Sequence, residues 1–260
     1  MSGIQTQKLT VVKVGGAILE DAESLSGFLD RFVALPGLKI LVHGGGRAAT
    51  RMAAKLGIES KMVEGRRITD AETLEIVTMV YGGLVNKNTV AALQARDCNA
   101  AGFTGADLNL VKASKRPVAD IDYGFVGDIT AVQSGAFANL LQLGITPVVA
   151  PLTHDGKGQF LNTNADTMAS AIAIALSSLY EVTLIFCFEK PGVLLIPDDD
   201  TSVIPQLSAG LYQSYKEQKI IHSGMIPKLD NSFAALRQGV KQVVITSAAT
   251  LNPDTGTRIL

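Results

Sequence analysis

Several groups of residues in this sequence have types and spacings suited to handling anions. Lys13 interrupts an apolar run, LTVVKV at 9–14, and Gly15 and Gly16 follow directly. A buried ammonium is costly unless it reaches an anion or solvent, so Lys13 either serves a negative ligand or snorkels out at an edge. Residues 38–57, LKILVHGGGRAATRMAAKLG, restate the pattern on a larger scale. An apolar run at 39–42 leads into three glycines, Gly44, Gly45 and Gly46. A helical pattern follows, with Ala48, Met52, Ala53 and Leu56 near one face, and Gly57 stops it. A strand that passes through glycines into a helix start exposes backbone N–H groups, lacks Cβ atoms and faces a favourable dipole. The plain alternative is a tight turn with nothing bound.

Three more places carry polar residues with few structural reasons to be there. Arg66 and Arg67 lie in MVEGRRIT at 62–69, and a guanidinium fork suits a carboxylate, although paired arginines are often mere solvated charge. Asn162, Asn164 and Asp166 alternate in LNTNADT just ahead of an apolar helix at 168–176. Helix capping alone would explain Asp166; it does not explain three alternating polar residues, which could project into one cleft. Lys228 stands near a helix start, where a cation opposes the dipole. It calls for an anionic partner or for water. By contrast, Asp198, Asp199 and Asp200 follow Pro197 on a polar loop and read as solvated surface.

Positioning these groups requires alternating strands and helices. Strands are expected at 9–14, 39–42, 146–150, 183–188 and 242–246, with a short closing strand at 256–260. Helices are expected at 22–34, 137–143, 168–176, 207–218 and from 228 to Gly239. Thr69 with Glu72 forms a capping-box pattern opening a long helix to about Ala95. Gly82 and Gly83 within it are costly and imply a kink or close crossing. Residues 100–112 pass from strand through loop to strand, 115–128 suggest a hairpin-bearing excursion, and 154–161 a hairpin. In one βαβ unit, Gly15–Gly16 and the 44–46 glycines would lie side by side at the carboxyl edge of a parallel sheet, where ligands bind. Neither group is a GxGxxG or a P-loop signature.

Composition excludes other classes. With 260 residues and 47% hydrophobic content, the chain can bury a full core. A formal net charge of −1 and only 5% aromatic residues argue against nucleic-acid partners. No apolar stretch approaches a membrane span, and the opening MSGIQTQK has no apolar signal core. Cys98 and Cys187 are isolated, which fits a reducing cytoplasm. His43, His154 and His222 lack metal-ligand spacing, so no metal ligands are assigned.

Together, KVGG (13–16), VHGGG (42–46), GRRIT (65–69), NTNAD (162–166), GMIPK (224–228) and GTRIL (256–260) resemble the amino-acid kinase family, in its order and over essentially the whole chain. The resemblance implies a three-layer α/β/α sandwich with an open, mainly parallel central sheet. One domain, 1–260, would comprise an acyl-amino-acid lobe at about 1–175 and a nucleotide lobe at about 176–260. The implied reaction is ATP-dependent phosphorylation of the side-chain carboxylate of an N-acylated glutamate to an acylphosphate, in arginine biosynthesis. Acetyl is the default acyl group. Succinyl, another acceptor (carbamate, aspartate or free glutamate) and a non-catalytic sensor are the alternatives. By the same resemblance, Lys13 and Lys228 stabilise the transferring phosphoryl group and Asp166 orients them. Gly15, Gly16, Gly45 and Gly46 supply backbone donors to phosphate. Arg67, Asn162 and Asn164, with Gly45 and Gly46, hold the substrate. Glu189, Lys190, Gly192, Val193, Leu194, Ile220, Ile221 and His222 match the nucleotide side, and Mg²⁺ would ride on the phosphates. Family members often carry Asp after Ser or Thr where this chain has Phe188-Glu189-Lys190, so the adenine and ribose contacts stay open. Only eight residues precede the first strand. Arginine-sensitive members carry an N-terminal helical extension, so feedback inhibition is not expected. A homodimer through the 69–95 helix is.

Overall fold

A computed structural model describes residues 7–63, 66–221 and 225–260. Its N-terminal half alternates as the apolar pattern predicts. β1 (Lys8–Val14) leads into a short α1 (Gly16–Glu20) and then α2 (Ala22–Ala34), which Asp21 caps by accepting from Ser24 N–H. β2 (Leu38–His43) leads into α3 (Gly46–Lys55), and a small hairpin of β3 (Met62–Val63) and β4 (Arg66–Arg67) follows. The long helix departs from expectation. It begins as α4 (Ala71–Val77), widens to π geometry over Thr78–Val85, and resumes as α5 (Asn86–Gln94). Gly82 and Gly83 fall inside the widened turns, which is how the chain accommodates them.

Asp70, not Thr69, caps α4, accepting from Thr73 N–H at 2.8 Å. Thr69 is occupied elsewhere. Its N–H donates to Tyr123 O, its carbonyl accepts from Phe125 N–H, and its hydroxyl accepts from Asn162. A local capping box is thus overridden by long-range contacts.

The remaining strands are β5 (Ala100–Phe103), β6 (Val111–Lys115), β7 (Gly127–Val132), β8 (Thr146–Val149), β9 (Leu152–His154), β10 (Phe160–Asn162), β11 (Glu181–Phe188), β12 (Gln206–Leu207), β13 (Gln242–Ser247) and β14 (Thr257–Ile259). The other helices are α6 (Ser134–Gln142), α7 (Ala165–Leu176), α8 (Ala209–Glu217) and α9 (Ile226–Arg237). Eight strands form the central sheet in the order β12-β14-β13-β11-β1-β2-β8-β5. All its pairings are parallel except β13 with β14. β10, β9, β6 and β7 form a separate four-stranded sheet over the carboxyl side, which is where the 115–128 excursion and the 154–161 hairpin belong.

Alternation along β1 explains the two-sided core. Leu9 and Val11 pack with α7 residues such as Met168 and Ile172, while Val12 and Val14 pack with Phe28 and Phe32 of α2. Lys13 continues the Leu9–Val11 face at the strand's carboxyl end, beneath the start of α7. None of the described helices is long and apolar enough to cross a membrane.

Candidate active site

The site begins with two strand ends. β1 and β2 are neighbours in register, with Val14 opposite His43, so their glycine turns meet. Gly44 N–H donates to Val14 O at 3.0 Å, and Gly15 N–H to Cys187 O at 3.2 Å. A Cβ on Gly16 would come within 3.2 Å of Gly45 N, and one on Gly45 would enter the Tyr81 ring at 2.6 Å. Only bare backbone fits there, and the amides of both turns are gathered at one sheet edge.

Lys13, Asp166 and Lys228 come together beside this floor. α7 places Asp166 in its first turn. The cap itself is Asn164, whose Oδ1 accepts from Asp166 N–H at 2.9 Å and Thr167 N–H at 3.1 Å. Asp166 is therefore free of capping duty. Its Oδ1 lies 2.8 Å from Lys13 Nζ in an ion pair outside hydrogen-bonding angles, and its Oδ2 accepts from Lys228 Nζ at 2.7 Å. The anionic partner that Lys228 needs at its helix start is supplied by another helix. Burial alone would raise the Asp166 pKa, but the ammonium groups of Lys13 and Lys228 outweigh it and hold the carboxyl at about 2. The trio carries one net positive charge where a phosphoryl group could sit.

A cavity of about 270 Å³ opens in front of Lys13 and Gly44–Gly46. Arg67, Asn162 and Asn164 line it, as does Arg66, which the sequence offered beside Arg67; Tyr81 and Arg116, which sequence reasoning did not place, line it too. Arg67 is buried and fixes the entry of α3. It donates to Gly46 O at 2.9 Å, Thr50 Oγ1 at 2.8 Å and Ser60 Oγ at 2.7 Å. Asn162 Nδ2 donates to Thr69 Oγ1 at 3.0 Å. Arg116 is anchored by Asp128 at 2.5 Å. Tyr81 reaches the cavity from the π segment, and the mid-helix glycines were its only trace in the sequence.

A second, more apolar cavity of about 240 Å³ lies beyond the end of β11. Lys190, Gly192, Val193, Leu194, Ile220 and Ile221 line it together with Phe188 and Met225. Glu189 does not; it turns to Arg47 at 3.2 Å on the exposed surface. His222 lies outside the described residues. Asp200 pairs with Lys190 at 2.9 Å on the surface.

An open, mainly parallel sheet, with a glycine floor, a lysine–aspartate–lysine bridge and two cavities near its carboxyl edge, defines an α/β fold with its charged groups gathered at one edge. The chain belongs to the amino acid kinase family, whose sequence model matches residues 8–247. It is 60% identical over 253 residues to the acetylglutamate kinase of Phocaeicola vulgatus, covering 97% of this chain and 98% of that one. It is 54% identical over 261 residues to the acetylglutamate kinase of Cytophaga hutchinsonii, covering 98% and 99%. Its structure superposes on N-acetylglutamate synthase from Neisseria gonorrhoeae, in complex with coenzyme A and N-acetyl-glutamate, with a TM-score of 0.83 at 25% identity. That match covers 97% of this chain and 59% of the synthase.

Proposed function

We propose that this chain transfers the γ-phosphoryl group of ATP to the side-chain carboxylate of N-acetyl-L-glutamate, the step that makes an acylphosphate in arginine biosynthesis. The observation that carries this reading is the Asp166 carboxylate, with one lysine on each oxygen, and Lys13 lining the same cavity as the bare amides of Gly16 and Gly44–Gly46. The names of the relatives supply the substrate.

The chemistry follows from charge. The acceptor carboxylate is ionised at neutral pH, so its oxygen attacks the γ-phosphorus without a general base. One P–O bond forms as the bond to ADP breaks. The obstacle is repulsion between two anions, and the protein's task is to align them and neutralise the equatorial oxygens. Lys13 and Lys228 would do so from either end, with N–H groups of Gly16, Gly45 and Gly46 between them; Asp166 keeps both ammonium groups aimed inward. Gly15 shapes its turn instead, since its own N–H is spent on Cys187. Arg67 and Asn162 would hold the glutamate's carboxylate and acyl-amino groups, and Asn164 would offer its Nδ2.

Every residue lining the first cavity precedes 168, and every residue lining the second follows 187. That division supports an acyl-amino-acid lobe at about 1–175 and a nucleotide lobe at about 176–260. The apolar second cavity suits a purine. Mg²⁺ would arrive on the nucleotide phosphates, since it favours phosphate oxygens and retained waters. Asp128, which lines the first cavity, and Asp166, which pairs with Lys13 and Lys228, are both already committed to cations. Exposed Met79 and Leu84 on the π segment support a homodimer through 69–95, and the lone buried thiols suit the cytoplasm.

One further reading of the acceptor has an observation behind it. Arg66 and Arg116 line the first cavity besides Arg67, and an acyl group ending in a carboxylate, such as succinyl, would meet them. Incubation with MgATP and N-acetyl-, N-succinyl- or free glutamate, with acylphosphate trapped as hydroxamate, tests the function. Trapping only with N-acetylglutamate supports it, preference for the succinyl compound changes the acyl group, and no trapping with any acceptor removes the kinase reading.

A further inference from the structure

His43 is fully buried one residue ahead of the glycines, and the reaction outlined above gives it no part. Its ring is nevertheless held at both nitrogens. Nδ1 lies 2.8 Å from the Gly44 carbonyl oxygen, and Nε2 lies 3.0 Å from Nδ2 of Asn86 at the start of α5. The same Asn86 Nδ2 donates to Val148 O at 3.0 Å, which fixes the orientation of the amide. A carbonyl can only accept and an amide NH₂ can only donate, so the ring proton sits on Nδ1 and Nε2 accepts. Burial, above all, pushes the His43 pKa down to about 4, with the Lys87 charge adding to it against the Gly44 hydrogen bond. The imidazole is neutral in the physiological range.

The effect of this arrangement falls on the next peptide. In a trans peptide the Gly44 C=O and the Gly45 N–H point in opposite directions. Holding the carbonyl against the imidazole turns the Gly45 N–H away from it, towards the cavity that Gly45 and Lys13 line. No described residue accepts from that N–H. A peptide between two glycines has little intrinsic preference of its own. Flipped over, it would present a carbonyl oxygen to incoming phosphate oxygens and repel them.

We infer that His43 is a positioning residue: its Nδ1–H, with the tautomer set by Asn86, locks the Gly44–Gly45 peptide so that the Gly45 N–H donates to the transferring phosphoryl group. The inference rests on the phosphoryl-transfer reading, and its test separates the two.

Histidine ¹⁵N spectra of the whole protein, with His43 assigned by its loss in His43→Asn, should show a proton on Nδ1 only, unchanged between pH 5 and 8. A proton on Nε2, or titration within that range, overturns the lock whatever the enzyme does. In kinetics, His43→Leu removes the donor, whereas His43→Asn keeps an N–H near the Nδ1 position. The leucine variant should lose roughly 10-fold or more in kcat with KM for the acylglutamate within about two-fold, and the asparagine variant should recover most of the loss. Unchanged kcat in His43→Leu, or equal losses in both variants, overturns the inference. Should the leucine variant not fold, Asn86→Asp gives the second arm. An ionised aspartate accepts there from Nε2–H: where the spectra show Nδ1 stripped of its proton, kcat must fall or the lock is wrong, and where both nitrogens carry one, kcat must hold or the lock is wrong. A wild-type protein that phosphorylates no acylglutamate removes the reaction, while the spectra still judge the lock.

Discussion

The Asp166 carboxylate and the Lys228 ammonium meet at 2.7 Å, tying the first turn of α7 to the first turn of α9. Ala165 and Thr167 of α7 line the first cavity, and Met225, just ahead of α9, lines the second. One hydrogen bond therefore ties the helices beside the two cavities, and the other oxygen of the same carboxylate reaches Lys13 at the end of β1.

Removing either ammonium should cost turnover far more than fold. Lys13→Ala and Lys228→Ala each leave Asp166 with one cation, so each purified variant should keep the wild-type circular dichroism spectrum. Their kcat should fall by roughly 10²–10³, the usual loss for one electrostatic donor in a transition state. Near-normal turnover in either variant would dismiss its assigned role.

Acid should reveal Asp166. Its folded pKa of about 2 lies below the ordinary aspartate value of 3.8, so the folded state favours the ionised form. The resulting stability is fully present above about pH 4 and disappears as pH falls through about 2. Its size is on the order of 2 kcal/mol. Urea unfolding from pH 5 to pH 2 should show this decline in the wild type and a flatter profile in Asp166→Asn. That variant should also be less stable at pH 7 by roughly 3 kcal/mol, since it strands two ammonium groups.

Gly45→Ala should clash with Tyr81. The added methyl would stand 2.6 Å from a ring carbon, and overpacking of this kind typically costs about 1–3 kcal/mol. The double variant Gly45→Ala/Tyr81→Leu should regain part of the stability lost by Gly45→Ala alone. Additive losses on thermal melting would mean the two positions do not touch.

The second cavity can be filled without disturbing the first. Leu194→Trp should raise KM for ATP by roughly 10–100-fold, equivalent to an overpacking cost of about 1–3 kcal/mol. KM for the acylglutamate should stay within about two-fold of wild type. An equal rise in both constants would contradict the division of labour between cavities.

Much of this was legible in the residues themselves. Periodicity located the strands ending at Val14, His43 and Phe188, because buried parallel strands leave unbroken apolar runs. A lysine inside such a run and another at a helix start both violate local preference, and violations of that kind mark sites. What the sequence could not show was that both lysines answer to one carboxylate, since nothing local links positions 13, 166 and 228. The helix cap expected at Thr69 was misplaced by one residue because three tertiary hydrogen bonds claim that threonine and leave the cap to Asp70. Tyr81 left only the neighbouring glycines as a trace and Arg116 left none: one is rotated into the cavity by π turns, the other is carried there by the smaller sheet. Glu189 stood in a stretch that matched the nucleotide side, yet a single residue's rotation past the strand end hands it to Arg47.

β14 is only three residues long, yet it is seated inside the central sheet, between β12 and β13. Its Thr257 hydroxyl accepts from the Val193 N–H at 2.8 Å, and Gly192 is small because Thr257 and Val203 crowd it. This tripeptide thus acts as a keystone for the loop that frames the apolar pocket. Unzipping residues 257–259 would bare two strand margins and release that loop, opening the apolar cavity first while the other cavity, built wholly from earlier residues, stayed intact.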